Sequence, residues 1–166
     1  MDRRDLLLAS TVTAFGLTLP VRSLAQANSP KEKIVGVWSL VSVYDEGPGG
    51  KKYYVWGEGV QGLVIYTSGG HFSSQIMAAN RDKDASKNPR MPVGQAIANF
   101  GTYSVDDEKM TNTLHIERCT FPGWEGMVRV SKIASITDEE YRSEAAVVHD
   151  PANGEVVPKI VWKRTA

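Results

Sequence analysis

The chain has 166 residues, 42% of them hydrophobic and 23% charged, which is the composition of a single folded globular domain. Its 19 basic and 19 acidic residues cancel, so the charge balance gives no reason to expect binding to nucleic acid or to an anionic membrane surface. Since Cys119 is the only cysteine, no disulfide can form within the chain and core packing must stabilise the fold.

Residues 1–27 have the three parts of an export signal. Arg3 and Arg4 stand before a short apolar stretch, residues 6–19, and an Ala-Gln-Ala sequence ending at Ala27 supplies the small residues that a signal peptidase reads. The adjacent arginines resemble a twin-arginine signal. The alternative is an anchoring helix, but a bilayer span needs about 20 apolar residues and this stretch is shorter. We therefore predict cleavage after Ala27, no stable membrane insertion afterwards, and a periplasmic or secreted mature protein.

The remaining chain is predicted to be a flexible leader, residues 28–33, followed by one β-domain, residues 34–166. Segments rich in β-branched and aromatic residues follow one another closely, with Gly, Pro, Asn or Asp between them. The predicted strands are 34–44, 52–56, 62–67, 71–77, 101–105, 111–121, 127–136, 141–149 and 155–164. Eight or nine strands at this spacing are typical of an antiparallel barrel or sandwich.

One insertion breaks the rhythm of the strands. Residues 78–88 are polar and charged, two prolines follow, and residues 93–100 could form a short helix with Ile97 and Phe100 on its apolar face. An insertion of this length is often a lid over the open end of a barrel, and the alternative is a solvated loop.

Several motifs, taken in chain order, resemble a known family. They are Gly36-Val37-Trp38-Ser39-Leu40, the hairpin from Gly62 to Ser73, His115, Pro122-Gly123-Trp124-Glu125-Gly126, Arg129, and Val161-Trp162-Lys163-Arg164. The ordered set is similar to the bacterial and fungal lipocalin-like domain proteins, small β-barrels often left without an assigned function.

This resemblance covers nearly the whole β-domain. It implies an all-β fold, a closed up-and-down antiparallel β-barrel of eight to nine strands with an interior cavity, here carrying a short helix or lid insertion. It also implies a structural pair in which Arg164, from the last strand, covers the indole of Trp38 in the first.

The strand at residues 111–121 carries the first candidate site. Because strand side chains alternate between faces, His115, Glu117 and Cys119 should share one face, which lines either bulk water or a cavity. Histidine can donate or accept a proton near neutral pH, and Arg129 on the next strand could place a permanent cation nearby. If the face is interior, the group would bind a carboxylate or enolate and could move a proton. The alternative is that His115 and Arg129 only stabilise the hairpin.

Other candidates come from the barrel wall and from the family motif. A tyrosine in a barrel wall presents an apolar ring and one hydroxyl that can orient a ligand, although such tyrosines are more often core. The predicted ligand contacts are Tyr66, Ser73, Gln75, Tyr103, His115, Glu117, Trp124 and Arg129. No cofactor is predicted, because the sequence has no phosphate loop, dinucleotide fingerprint or nucleophile elbow. No metal is predicted either, because the three histidines show no ligand spacing.

Three functions remain open at this point. The first is an exported barrel that binds a small apolar or amphipathic molecule in its interior. The second is an isomerase, cyclase or hydratase on the same barrel, with His115 as acid or base and Arg129 as anion stabiliser. The third is a barrel with a filled core whose surface binds another protein, since a fold does not fix a function.

Overall fold

The computed structural model describes residues 29–82, 84 and 94–165. The predicted export signal, residues 1–27, and most of the polar part of the predicted lid, residues 83 and 85–93, lie outside the described residues.

Ten antiparallel strands form one sheet that closes on itself. They are β1 (Gly36–Glu46), β2 (Lys52–Tyr53), β3 (Gln61–Tyr66), β4 (His71–Met77), β5 (Ala96–Asp106), β6 (Thr111–Cys119), β7 (Val128–Ile136), β8 (Glu140–Glu144), β9 (Val148–Asp150) and β10 (Gly154–Thr165). Pairing runs β1-β3-β4-β5-β6-β7-β8-β10, and β10 pairs with β1 to complete an eight-stranded ring. The short strands β2 and β9 extend β1 and β10 outside that ring. The predicted closed up-and-down antiparallel barrel is therefore confirmed, with two outer strands added.

One end of the barrel, which we call the closed end, is filled with large side chains. Trp38, Tyr141 and Ile133 are at most 1% exposed there, and the rings of Trp38 and Tyr141 pack edge to face. The connections at this end are the short turns after β3, β5 and β7. Burying rings of this size supplies much of the hydrophobic stabilisation of a domain that has no disulfide.

Arg164 ties the closed end together. Its guanidinium carbon lies 4.1 Å from the centre of the Trp38 ring, so the predicted contact of the first and last strands is present. The same side chain donates to the carbonyl oxygens of Asp138 (2.6 Å), Val35 (2.9 Å) and Lys33. At Gly36 the backbone has a φ of +138°, and an added Cβ would lie 2.4 Å from Nη1 of Arg164, so only glycine allows this approach.

A one-turn helix, α1 (Pro30–Lys33), forms where the sequence analysis placed a flexible leader. Its capping box explains the order: the Ser29 hydroxyl accepts from the Glu32 N–H, and the Glu32 carboxylate accepts from the Ser29 N–H. The Lys31 N–H also donates to the Asp107 carboxylate at 2.8 Å, which fixes the helix to the turn after β5.

Residues 96–100 are strand, and the short helix predicted over 93–100 is wrong for this part of the segment. Ala96 to Thr102 pair in register with β4, and this pairing alternates Ile97 and Asn99 inward with Ala98 and Phe100 outward. The spacing of Ile97 and Phe100 suggested a helical face, but tertiary pairing decided the structure.

The remaining helical elements are two short 3₁₀ turns, Pro48–Gly50 and Pro122–Trp124. Both lie at the end of the barrel opposite the closed end, which we call the open end. Strands are also joined at this end by the connection between β4 and β5, of which residues 78–82, 84, 94 and 95 are described, and by the segment from β8 to β10.

Candidate functional site

Inner-facing side chains toward the open end keep part of their surface exposed. Ile76 and Ile116 are buried in the wall, at 7% and 2% exposure. The side chains that face inward but are only half-buried are Leu40, Ser74, Ile97, Asn99, Leu114, Cys119, Arg129 and Ile160. A side chain that points into a closed ring and still has exposed surface borders an accessible space, so the middle and open end of the barrel form a cup lined by four aliphatic and four polar side chains.

Arg129 is the charged side chain of this cup that stands out. It lies at the start of β7, directly across from Leu114 of β6, and alternates inward with Ser131 while Val128 and Val130 are exposed outside. Its guanidinium carbon lies 3.8 Å from the centre of the Trp124 ring. Burial lowers the pKa of Arg129, and the nearby Cys119 thiol opposes that shift. Arginine nevertheless stays charged at any physiological pH.

The turn that carries Trp124 keeps its own acid away from Arg129. Glu125 accepts hydrogen bonds from Arg118 at 3.5 Å and from the Cys119 N–H at 3.4 Å. Among the residues that the structure describes, no carboxylate oxygen lies within 4.0 Å of the Arg129 guanidinium and no oxygen accepts from it. Trp124 covers one face of the cation while the N–H groups at its edge stay available.

The other half of the predicted constellation lies outside the barrel. His115 and Glu117 are exposed on the outer face of β6, so the predicted face lines water and not the cup. His115 and Arg129 are thus on opposite faces of the sheet and are not brought together on an interior ligand.

Cys119 was predicted on the His115 face, and this is wrong. A β-bulge inserts one extra residue: Gly101 pairs with Ile116 but Phe100 pairs with Arg118, so Glu117 is unpaired and Cys119 turns inward. Gly101 makes the bulge possible, because an added Cβ would lie 2.0 Å from the His115 carbonyl oxygen. The sequence signal was an isolated glycine in a strand, but nothing in it fixed which residue opposite would be extra.

Ser73 and Gln75 of β4 also point outward. Gln75 donates to the Ser73 hydroxyl at 2.8 Å, and both side chains line a shallow outer groove of about 270 Å³ with Phe100 and Arg118. Phe72 and Ile76, buried on the same strand, take the inward positions. These two predicted ligand contacts therefore do not face the cup.

Tyr66 and Tyr103 face inward, but at the closed end. Their rings pack edge to face at 4.8 Å, and the Tyr103 hydroxyl donates to the Thr67 carbonyl at 2.8 Å. The Tyr66 hydroxyl accepts from the Asn112 amide at 3.0 Å, and burial raises the pKa of Tyr66 well above its ordinary value.

Asn112 is an interior polar residue that the sequence analysis missed. It is 2% exposed, and its amide nitrogen lies 3.0 Å from the Tyr66 hydroxyl and 3.5 Å from the Tyr141 hydroxyl, while its Oδ1 atom has no partner among the described residues. Turning the amide over would leave the nitrogen without an acceptor instead. The alternation with Leu114 and Ile116 was the signal that could have placed it inside.

The lipocalin-like domain family matches residues 35–165. This chain belongs to the lipocalin-like domain family. The matched residues include the whole barrel, both members of the Trp38–Arg164 pair, and the turn that carries Trp124 and Arg129. No curated protein matches this lipocalin-like sequence.

Solved structures similar to this lipocalin-like protein include two with low sequence identity. One is a redesigned β-barrel at 12% identity, with 85% of this chain and 98% of that chain covered and a TM-score of 0.42. Another is bovine odorant-binding protein in complex with a selenium-containing odorant, at 11% identity, with 85% and 76% covered and a TM-score of 0.39. Identities this low concern the fold alone.

Two kinds of feature are absent from the described residues of the lipocalin-like barrel. Across residues 29–82, 84 and 94–165, no group of three or more His, Cys, Asp or Glu side chains converges as metal ligands would. Within the same ranges, no helix has the length and apolar character needed to cross a membrane.

Proposed function

We propose that this lipocalin-like protein binds a small, largely apolar molecule in the cup at the open end of its barrel. One observation carries the proposal: inward-facing apolar side chains, among them Leu40, Ile97 and Leu114, remain partly exposed although they stand inside a closed ring. Exposed apolar surface in a concave site is what a ligand of this kind covers, at roughly 25 cal/mol for each Å² removed from water. Membership of the lipocalin-like family supports the same function.

We propose further that the protein is exported. The support is the sequence of residues 1–27: paired arginines, a short apolar stretch and a small-residue cleavage site. The mature chain would begin at Asn28, one residue before the helix cap at Ser29. Mass spectrometry of protein recovered from the periplasm or the medium tests this, since a mass that still includes residues 1–27 would contradict it.

A matched pair of substitutions tests the interior site. Leu114 and His115 are neighbours on β6 that point to opposite faces of the sheet. Leu114→Trp places a large ring in the cup, whereas His115→Trp places the same ring in solvent. The measurement is a titration of the mature protein with N-phenyl-1-naphthylamine, a neutral apolar molecule whose fluorescence rises when it leaves water.

We expect the wild type and His115→Trp to bind this probe equally and Leu114→Trp to lose at least about tenfold in affinity, because its ring occupies the ligand's space. Thermal unfolding of each variant checks that the barrel is intact, since overpacking costs about 1–3 kcal/mol. If Leu114→Trp does not fold, Leu40→Trp is the second interior variant. Equal binding by folded interior and exterior variants, or no binding by the wild type, would contradict the proposal.

A further inference from the structure

We infer that the molecule bound in the cup is an anionic amphipath: an apolar body with a carboxylate that pairs with Arg129. This inference rests on the proposed function and adds the chemical class of the ligand and the residue that selects it. Its basis is the position of Arg129, an inward-facing cation beside aliphatic side chains that has no acidic partner among the residues that the structure describes.

Arg129 is held in place before any ligand arrives. Trp124 covers one face of the guanidinium at 3.8 Å, and the backbone at Arg129 is fixed by pairing with Leu114. A stacked guanidinium keeps its edge N–H groups in one plane, which is the arrangement that binds both oxygens of a carboxylate at once. Little conformational entropy is then lost when the ligand binds.

No acidic side chain of the described residues pairs with the Arg129 guanidinium. Glu125, four residues earlier, is held by Arg118 and by the Cys119 backbone. Asp45, also at the open end, stands near Asp150, and burial followed by that second carboxylate raises the pKa of Asp45. In the part of the chain that the structure describes, neither acid comes within 4.0 Å of Arg129.

Burying a cation in part without a counter-charge is energetically unfavourable. Burial lowers the pKa of Arg129 because the charged form loses hydration, and an anion supplied by the ligand would offset that loss. A neutral ligand would cover the charge without pairing it, and a cation would be repelled. The cup thus favours a negative head group at its mouth.

The remaining walls of the cup determine the rest of the ligand. Besides Arg129, the inward-facing side chains of the cup are four aliphatic ones, Leu40, Ile97, Leu114 and Ile160, and three small or medium polar ones, Ser74, Asn99 and Cys119. They offer dispersion contacts and few hydrogen bonds. An apolar chain or ring system pointing toward the closed end, with its carboxylate at Arg129, satisfies both parts of the site.

The experiment compares two competitors that differ only in the head group. Decanoate and decanol are each used to displace N-phenyl-1-naphthylamine from the mature protein at about pH 7.5, where a carboxylic acid is ionised. We expect the wild type to bind decanoate at least about tenfold more tightly than decanol, the range of one charge-assisted bidentate pair. Arg129→Gln should abolish this preference, and Arg142→Gln, which removes an exposed arginine from the outer face, should keep it.

Each outcome separates the inference from the function on which it rests. Probe binding with equal displacement by decanoate and decanol in the wild type would overturn the anionic ligand and leave interior binding standing. An unchanged preference in folded Arg129→Gln would overturn the role of Arg129. No probe binding at all would overturn both. If Arg129→Gln unfolds, Arg129→Lys serves instead, because it keeps the charge and loses the fork, and we expect it to reduce the preference severalfold.

Discussion

Replacing Arg164 by alanine should remove four tertiary contacts that one side chain makes at the closed end. The guanidinium donates to three carbonyl oxygens, those of Lys33, Val35 and Asp138, and it covers the Trp38 ring. The three carbonyls belong to the segment before β1 and to the turn after β7. The substitution therefore removes the hydrogen bonds that join the segment before β1, the β7–β8 turn and the end of β10.

The size of the effect follows from these contacts. A net hydrogen bond contributes about 1 kcal/mol, and the three of Arg164 together contribute about 3 kcal/mol. The stacked cation adds about 1 kcal/mol for a site that is half-buried. We therefore expect Arg164→Ala to lower the free energy of unfolding by about 4 kcal/mol, a large part of the total for one domain.

The measurement is urea unfolding of the mature protein followed by tryptophan fluorescence. Lys163→Ala is the matched control, because Lys163 is the preceding residue, is exposed, and points to the outer face. It should change the free energy of unfolding by less than about 0.5 kcal/mol. If Arg164→Ala proves no more destabilising than Lys163→Ala, the view that this side chain holds the closed end together is refuted.

Three more outcomes follow from the closed end. Burial raises the pKa values of Tyr66 and Tyr141 above their ordinary value of 10.0, so as the pH passes that value these two phenols ionise in the unfolded chain and stay protonated in the folded one. Their contribution to stability, measured by urea unfolding, should be fully present below about pH 10 and should then fall by up to about 1.4 kcal/mol per pH unit for each phenol; Tyr66→Phe should make this fall less steep, and an unchanged slope would contradict the reasoning. Gly36→Ala should lower thermal stability by about 2–3 kcal/mol, since φ is +138° and Arg164 occupies the space of the new methyl group, and a loss as small as that of an exposed Gly→Ala change would speak against that close approach. Asn112→Leu should cost at least about 1 kcal/mol less than Asn112→Ala in chemical unfolding, because both variants remove the unpaired acceptor but only leucine refills the buried volume; equal losses would argue against tight packing around Asn112.

Much of the fold could be predicted from the sequence because strand signals and turn residues are local. The hairpin between β3 and β4, and the turns before β6 and β8, are marked by Gly, Asp or Thr between runs of β-branched residues. The start of β5 at Ala96 could not be predicted in the same way. Its first residues have the spacing of an apolar helical face, and only pairing with β4 makes them a strand.

The positions of the candidate residues were predicted in part, and the errors on β6 have two physical origins. Alternation gives the faces of a strand only relative to each other, and a one-residue bulge reverses them. Arg129 and Trp124 are in contact at the mouth of the cup, whereas His115 and Glu117 are outside and Cys119 is inside. The bulge that turns Cys119 inward depends on a close backbone approach at Gly101, which a single sequence does not reveal.

The seam between β1 and β10 has a consequence for how the chain is made. Val37 pairs with Thr165 and Glu46 with Val157, so one edge of β1 stays unpaired until β10 is present. A ribosome releases residues in order, so β10 emerges after every other strand of the barrel. Until then both β1 and β8 have an unpaired edge, which is a surface for association with other nascent chains. The ring therefore cannot close until β10 has been made, and a chain that lacks β10 would keep both of these edges unpaired.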